Sequence, residues 1–156
     1  MPKVSIDKPV ADFELPATGN KIVKLSEFKG QNVVLYFYPK DNTTGCSLEA
    51  GAFRDHQMKF KRLNTVIVGV SRDNLKSHEN FRRKYALKFD LLSDEKQAVC
   101  KLFGVMKIKS MYGRKFLGIE RSTFLIDAKG VLRREWRKVV VKGHVDEVLK
   151  AVKALN

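Results

Sequence analysis

Of the two cysteines in this chain, one stands where sulfur chemistry is easiest to provoke. Cys46 follows an apolar run, VVLYFY at 33–38, and a polar turn, PKDNTTG at 39–45. The SLEA that comes after it has the composition of a first helical turn. Unpaired backbone N–H groups and the positive end of a helix dipole favour an anion at such a place. They lower a thiol pKa from its free value of about 8.5 and yield a thiolate, the form of cysteine that attacks. A small buried core residue is the competing reading, since free cysteine is often just that. Position alone leaves both open.

Other chemistries find little support. His56, His78 and His144 have no metal-ligand spacing among themselves or with the cysteines, so no metal is expected. There is no Gly-rich phosphate loop of the required form, no Gly-x-Ser-x-Gly elbow and no Cys-x-x-Cys pair. The last absence argues against a dithiol disulfide reductase.

Stepping from Cys46 to its supports, strand signals fall at 33–38, 65–71, 122–127 and 131–141, with Leu91-Leu92 as a short apolar segment that could mark another. Helical patterns lie at 46–63, 75–85, 94–103 and 145–155. Asp73-Asn74 reads as an N-cap region for the second. The third places Ala98, Val99, Leu102 and Phe103 on one face, with Cys100 flanking them. The fourth repeats Val145, Val148, Leu149, Val152 and Leu155 as a stripe that should dock on a sheet. Ala128-Lys129-Gly130 reads as a hairpin turn. Strands alternating with helices, then a hairpin and a last helix, predict an α/β chain with a central mixed β-sheet flanked by helices. At 156 residues the expectation is one domain, 1–156. Two cysteines are too few for a disulfide framework. The start, MPKVSID, has no apolar leader core, and no apolar stretch approaches a membrane span of about 20 residues. The expected place is the cytoplasm, with no membrane partner.

Pro39-x-x-x-Thr43-x-x-Cys46 matches the P-x-x-x-[TS]-x-x-C signature of peroxiredoxins. The wider segment YFYPKDNTTGCSLEA resembles the PrxQ branch, also called bacterioferritin comigratory proteins. Similarity continues at PVADF (9–13), LSEFKG (25–30), GVSRD (69–73), FDLLSD (89–94), MYG (111–113) and GIERSTFLID (118–127). It covers nearly the whole chain in order.

The resemblance implies a thioredoxin-like fold and a thiol peroxidase acting on hydrogen peroxide and organic hydroperoxides. Thioredoxin or a low-molecular-weight thiol would be the reductant. No cofactor is implied, and the assembly would be a monomer. Cys46 would be the nucleophile. Thr43 would bond the peroxide through its hydroxyl, beside the backbone N–H of Cys46. Pro39 would shield the sulfur and shape the pocket. Arg121 would stabilise the thiolate and the transition state, and Glu49 would orient Arg121. Each has a plainer role open to it: Thr43 as a helix cap, Arg121 as a surface cation, Pro39 as a strand stop, Glu49 as a first-turn residue complementing the dipole. Trp136 reads as packing rather than as a stacking platform. Two departures stand out. Thr44 occupies a place where the family often has a second proline. Gly51 and Arg82 occupy the two usual positions of a resolving cysteine, which leaves Cys100 as the internal candidate. Its apolar surroundings favour a packed structural thiol and a one-cysteine cycle resolved by an external thiol.

Net charge is +14, from 31 Lys and Arg against 17 Asp and Glu, and it is uneven. Residues 1–53 balance six basic with six acidic, whereas 54–88 hold ten against three and 101–142 twelve against three. A basic nucleic-acid-binding or chaperone-like protein is therefore the alternative function, against a merely solvated basic surface. No zinc-finger spacing or aromatic RNA-binding pattern accompanies the charge, so no specific nucleic acid is expected. Binding to duplex DNA should be weak, non-specific and lost by about 0.15 M salt. Tight, sequence-selective binding at that ionic strength in a salt titration would promote the alternative.

Overall fold

The two most continuous apolar runs become the centre of a sheet. In the computed structural model, which describes residues 2–155, strand β3 (Asn32–Phe37) is buried along its whole length. So is β8 (Ser122–Ile126), its antiparallel neighbour. Strands clothed on both faces read as unbroken apolar runs rather than as alternation. β4 (Thr65–Ser71) lies parallel to β3 on its other side, and β5 (Asp90–Ser93) parallel to β4. β1 (Glu14–Ala17) and β2 (Lys21–Lys24) form a hairpin at one edge, and β9 (Leu132–Arg137) closes the other. The order is β2-β1-β5-β4-β3-β8-β9, a mixed seven-stranded sheet. A separate antiparallel hairpin joins β6 (Met106–Met111) to β7 (Arg114–Ile119).

Alternate residues of the central strands feed two cores. Val34, Tyr36 and Tyr38 meet Phe53 and Phe60 of α1 (Thr44–Arg62), Phe81 of α2 (Leu75–Lys84), and the stripe Val145, Val148, Leu149 and Val152 of α4 (His144–Leu155). Val33, Leu35 and Phe37 meet Val99 and Cys100 of α3 (Ala98–Leu102) with Phe103. The sheet thus has helices on both faces, as the α/β reading requires, and Asn74 caps α2 by accepting from the Ser77 N–H at 2.9 Å. A short 3-10 turn (Leu25–Phe28) follows β2.

Several expected bounds shift for local reasons. α1 begins at Thr44, two residues before Cys46. The helix expected over 94–103 shrinks to Ala98–Leu102, because Gln97 sits in the left-handed region at φ 64° and the chain before it is a turn. The strand expected over 131–141 ends at Arg137, since Lys138 takes φ 55° and turns the chain away. The edge hairpin β1–β2 and the separate hairpin β6–β7 both escaped the periodicity argument. Their turns are legible in retrospect: Gly19-Asn20 and Tyr112-Gly113 all adopt positive φ, the hairpin-turn geometry.

Gly69 of β4 marks a close approach. A Cβ there would stand 2.9 Å from Leu91 Cδ2 and 3.0 Å from the Tyr36 ring and hydroxyl. Tyr36 cannot yield, because it is stacked between Phe53 at 4.6 Å and Tyr38 at 5.5 Å. Gly69→Ala should therefore destabilise the fold by about 1–3 kcal/mol through overpacking. A urea midpoint equal to that of the wild type would contradict this contact.

Candidate active site

The first backbone bond that belongs to α1 runs from the Ser47 N–H to the Thr43 carbonyl at 2.9 Å. The N–H groups of Thr44, Gly45 and Cys46 precede the helical ladder, and Cys46 sits among them at the positive end of the helix. The loop between β3 and α1 holds this helix end against the start of β8, which pairs with the end of β3.

That pairing delivers a cation. Arg121 precedes β8, its backbone held by a bond from the Val139 N–H to its carbonyl at 3.0 Å. Its Nη2 lies 3.4 Å from Cys46 Sγ, and its Nη1 donates to Glu49 Oε1 at 2.6 Å. Cys46 is 1% exposed and Glu49 fully buried, while Arg121 keeps some contact with solvent. Glu49 lies three residues, about one helical turn, beyond Cys46, so the sulfur and the carboxyl face one guanidinium. Sequence reasoning treated Gly45 only as part of the turn, yet it makes this contact feasible. A Cβ on Gly45 would fall 3.0 Å from Arg121 Nη2.

Burial raises the Glu49 carboxyl to about 7, with the Arg121 charge and hydrogen bond opposing. The two anionic neighbours hold Arg121 above its ordinary value against the effect of burial. Near neutrality Glu49 can therefore exchange a proton while Arg121 keeps its charge. Glu49 Oε2 and the hydroxyl of Ser47 are buried with no hydrogen-bond partner among the described residues.

Thr43 is exposed at the N-cap position, but its side chain caps nothing. Its hydroxyl donates to the Lys40 carbonyl at 2.9 Å, which leaves the oxygen free to accept. Pro39 is half-buried, two residues past the end of β3. Beyond Arg121 a cavity of about 360 Å³ is lined by Lys107, Ile108, Lys109, Glu120, Lys138 and Val139. Lys109 is partly buried there, and both burial and the nearby Arg121 lower its pKa. Part of the basic excess thus borders the site.

Cys100 is not brought to this place. It belongs to the core on the opposite face of the sheet from Cys46. Burial, followed by the adjacent Asp94 carboxylate, pushes its thiol well up. Asp94 also accepts from the Cys100 N–H at 2.7 Å. Trp136 is partly buried, donating to Glu147 at 3.0 Å. Asp41, Asp73 and His78 do bring potential metal-ligand atoms within 4.8 Å of one another, a grouping invisible in histidine spacing. Five of their six ligand atoms already have hydrogen-bond partners: both oxygens of Asp41, both ring nitrogens of His78, and Oδ2 of Asp73, which accepts from Ser71 and the Asp41 N–H. Among the described residues no helix is long and apolar enough to cross a membrane.

The sequence profile of the AhpC/TSA family matches residues 6–135. Peroxiredoxin Bcp of Bacillus subtilis is 46% identical over 153 residues, 98% of each chain. A cysteine-to-serine variant of PrxQ from Xylella fastidiosa superposes with a TM-score of 0.92 at 41% identity, over 97% of this chain and 96% of that one. The bacterioferritin comigratory protein of Xanthomonas campestris superposes with a TM-score of 0.87 at 45% identity, over 91% and 90%. That protein is described for alkyl peroxide reduction.

Because Glu49 binds its proton more tightly folded than unfolded, its contribution to stability is complete below about pH 4.5 and is lost as pH rises through about 7. Glu49→Gln should flatten that part of the stability curve. Parallel curves for the two proteins in urea titrations between these pH values would disprove the assignment. Arg121→Ala should slow oxidation of the thiol by peroxide by about 10²-fold, with Gly45→Ala slowing it less. A stopped-flow rate near that of the wild type for Arg121→Ala would remove the guanidinium from the chemistry.

Proposed function

Since the chain belongs to the AhpC/TSA family and is a peroxiredoxin of the Bcp/PrxQ type, we propose that Cys46 carries its thiol-peroxidase cycle with Arg121, Thr43, Pro39 and Glu49 in support. One observation carries this reading: a guanidinium 3.4 Å from a sulfur at a helix start, itself held by a buried carboxylate.

The Cys46 thiolate attacks the OH-bearing oxygen of the hydroperoxide. The O–O bond breaks, the sulfur takes that OH as a sulfenic acid, and the other oxygen leaves as hydroxide or alkoxide, which takes a proton to give water or alcohol. Negative charge moves from sulfur to the leaving oxygen. Arg121 faces that path, so its interaction strengthens as the leaving oxygen becomes an anion. The free Cys46 N–H supplies a second donor. The Thr43 hydroxyl, its hydrogen committed to Lys40, accepts from the peroxide O–H and aligns it. Pro39 keeps bulk water off the sulfur. Glu49 fixes the guanidinium plane.

The substrates are hydrogen peroxide and small organic hydroperoxides, a range supported by the alkyl peroxide reduction of the Xanthomonas campestris relative. Thioredoxin or a low-molecular-weight thiol then attacks the sulfenic sulfur and releases water, and a second thiol frees Cys46 from the mixed disulfide. Cys100, on the far face of the sheet, takes no part. The protein works as a monomer in a reducing cytoplasm, where two unlinked thiols persist. The nucleic-acid-binding alternative draws no support from this site.

Cys46→Ala should abolish peroxide consumption with a thiol reductant, and Cys100→Ser should keep most of it. One equivalent of peroxide should add one oxygen to the intact mass. Loss of two hydrogens instead, with a mapped Cys46–Cys100 bridge, would make the cycle an internal two-cysteine one.

A further inference from the structure

Between Lys40 and Thr44 the active-site loop is exposed at every residue except Asp41, which is 5% exposed. Asp41 is anchored on all sides. Its Oδ1 accepts from the Tyr38 hydroxyl at 2.6 Å, and its Oδ2 accepts from Ser77 Oγ at 2.8 Å. Oδ2 also lies 2.7 Å from Nδ1 of His78, a residue of α2 that is fully buried. The other ring nitrogen, Nε2, lies 2.9 Å from the Leu92 carbonyl. A carbonyl can only accept, so Nε2 carries a hydrogen, and the imidazole bridges the loop to β5. The Asp41 N–H is taken as well, by Asp73 Oδ2 at 2.8 Å.

This anchor sits next to the groups that must be placed for reaction. The Lys40 carbonyl, which orients the Thr43 hydroxyl, belongs to the residue before Asp41. Asn42, after it, takes φ 63°. Yet Cys46 is 1% exposed, so a sulfenic acid formed there is out of reach of an external thiol until the loop moves. Movement of the loop away from α2 breaks the Asp41–His78 contact.

We propose that His78, acting through Asp41, is a positioning residue that holds the active-site loop in its peroxide-reactive form, and that breaking this pair opens Cys46 to the reductant. The proposal rests on the thiol-peroxidase reading above. His78 touches no reacting atom; it sets how the loop divides its time between a closed form suited to oxidation and an open form suited to reduction.

Two substitutions separate the two ends of the ring. In His78→Asn the amide nitrogen falls near Nδ1 and keeps a donor for Asp41. In His78→Gln it falls near Nε2 and keeps the Leu92 contact while losing Asp41. Cys100 serves as an internal control, because global unfolding exposes both thiols and loop opening exposes Cys46 alone. Iodoacetamide labelling followed by peptide mapping reads the two sites, and stopped-flow reads Cys46 oxidation by hydrogen peroxide. In His78→Gln, Cys46 labelling should rise about tenfold with Cys100 still protected, and oxidation should slow about tenfold. His78→Asn should lie close to wild type in both. The proposal is overturned if the two variants behave alike, if Cys46 and Cys100 become reactive together, or if His78→Gln changes neither rate. A wild-type protein that consumed no peroxide would sink the peroxidase reading instead, and the labelling comparison would still decide the loop anchor.

Discussion

A single guanidinium between two acids holds the active site together. Arg121 reaches the sulfur of Cys46 with one nitrogen and the carboxylate of Glu49 with another. Burial penalises the Glu49 carboxylate, and the arginine opposes that penalty. Everything around the site serves this contact. β3 and β8 must pair so that residue 121 emerges beside the helix start. The helix must begin at Thr44 so that Cys46 and Glu49 share a face. Gly45 must lack a Cβ so that the guanidinium can close in. Loss of any of these leaves a buried charge without its counterpart, which is costly wherever water is excluded.

The sheet itself determines the redox cycle. Its two faces carry two cores, and the two thiols fall on opposite sides. Cys46 lies where a helix end and a cation favour a thiolate. Cys100 lies where burial and Asp94 oppose one. The same residue type thus meets two different settings, a helix start beside a guanidinium and a packed core beside a carboxylate. Because Cys46 is closed off from solvent, the site faces two demands. In the proposed cycle, oxidation would use the enclosed arrangement and regeneration an opening, and the exposed loop anchored through Asp41 is where the two demands would meet.

Much of this was legible in residue order. The strands 33–38 and 65–71, the docking stripe of α4 and the cap at Asn74 all follow from short-range rules: apolar continuity, helical periodicity and turn chemistry. The spacing of Pro39, Thr43 and Cys46 and the segment around Arg121 singled out the residues of the candidate site, and the fold sets Arg121 beside Cys46 and Glu49. The errors share a cause. Exposed hairpins such as β6–β7 bury little, so they leave no clean hydrophobic period. The shortened helix at 98–102 and the early end of β9 each turn on one residue at positive φ, Gln97 and Lys138. Neither is a glycine, and so neither announces a break.

Local sequence settled which atoms are present and where the buried central strands and the long helices lie, because those choices depend on neighbours a few residues away. It also limited the nucleophile to two cysteines and placed one of them at a helix start. Which side chains meet was decided by the folded chain alone. Glu49 and Arg121 are 72 positions apart, Cys46 and Arg121 75, and Asp41 and His78 37. No periodicity spans such intervals. Only closure of the sheet around β3 brings them within hydrogen-bond distance, in an interior dry enough for burial to shift the Glu49 carboxyl toward neutrality against the opposing pull of Arg121.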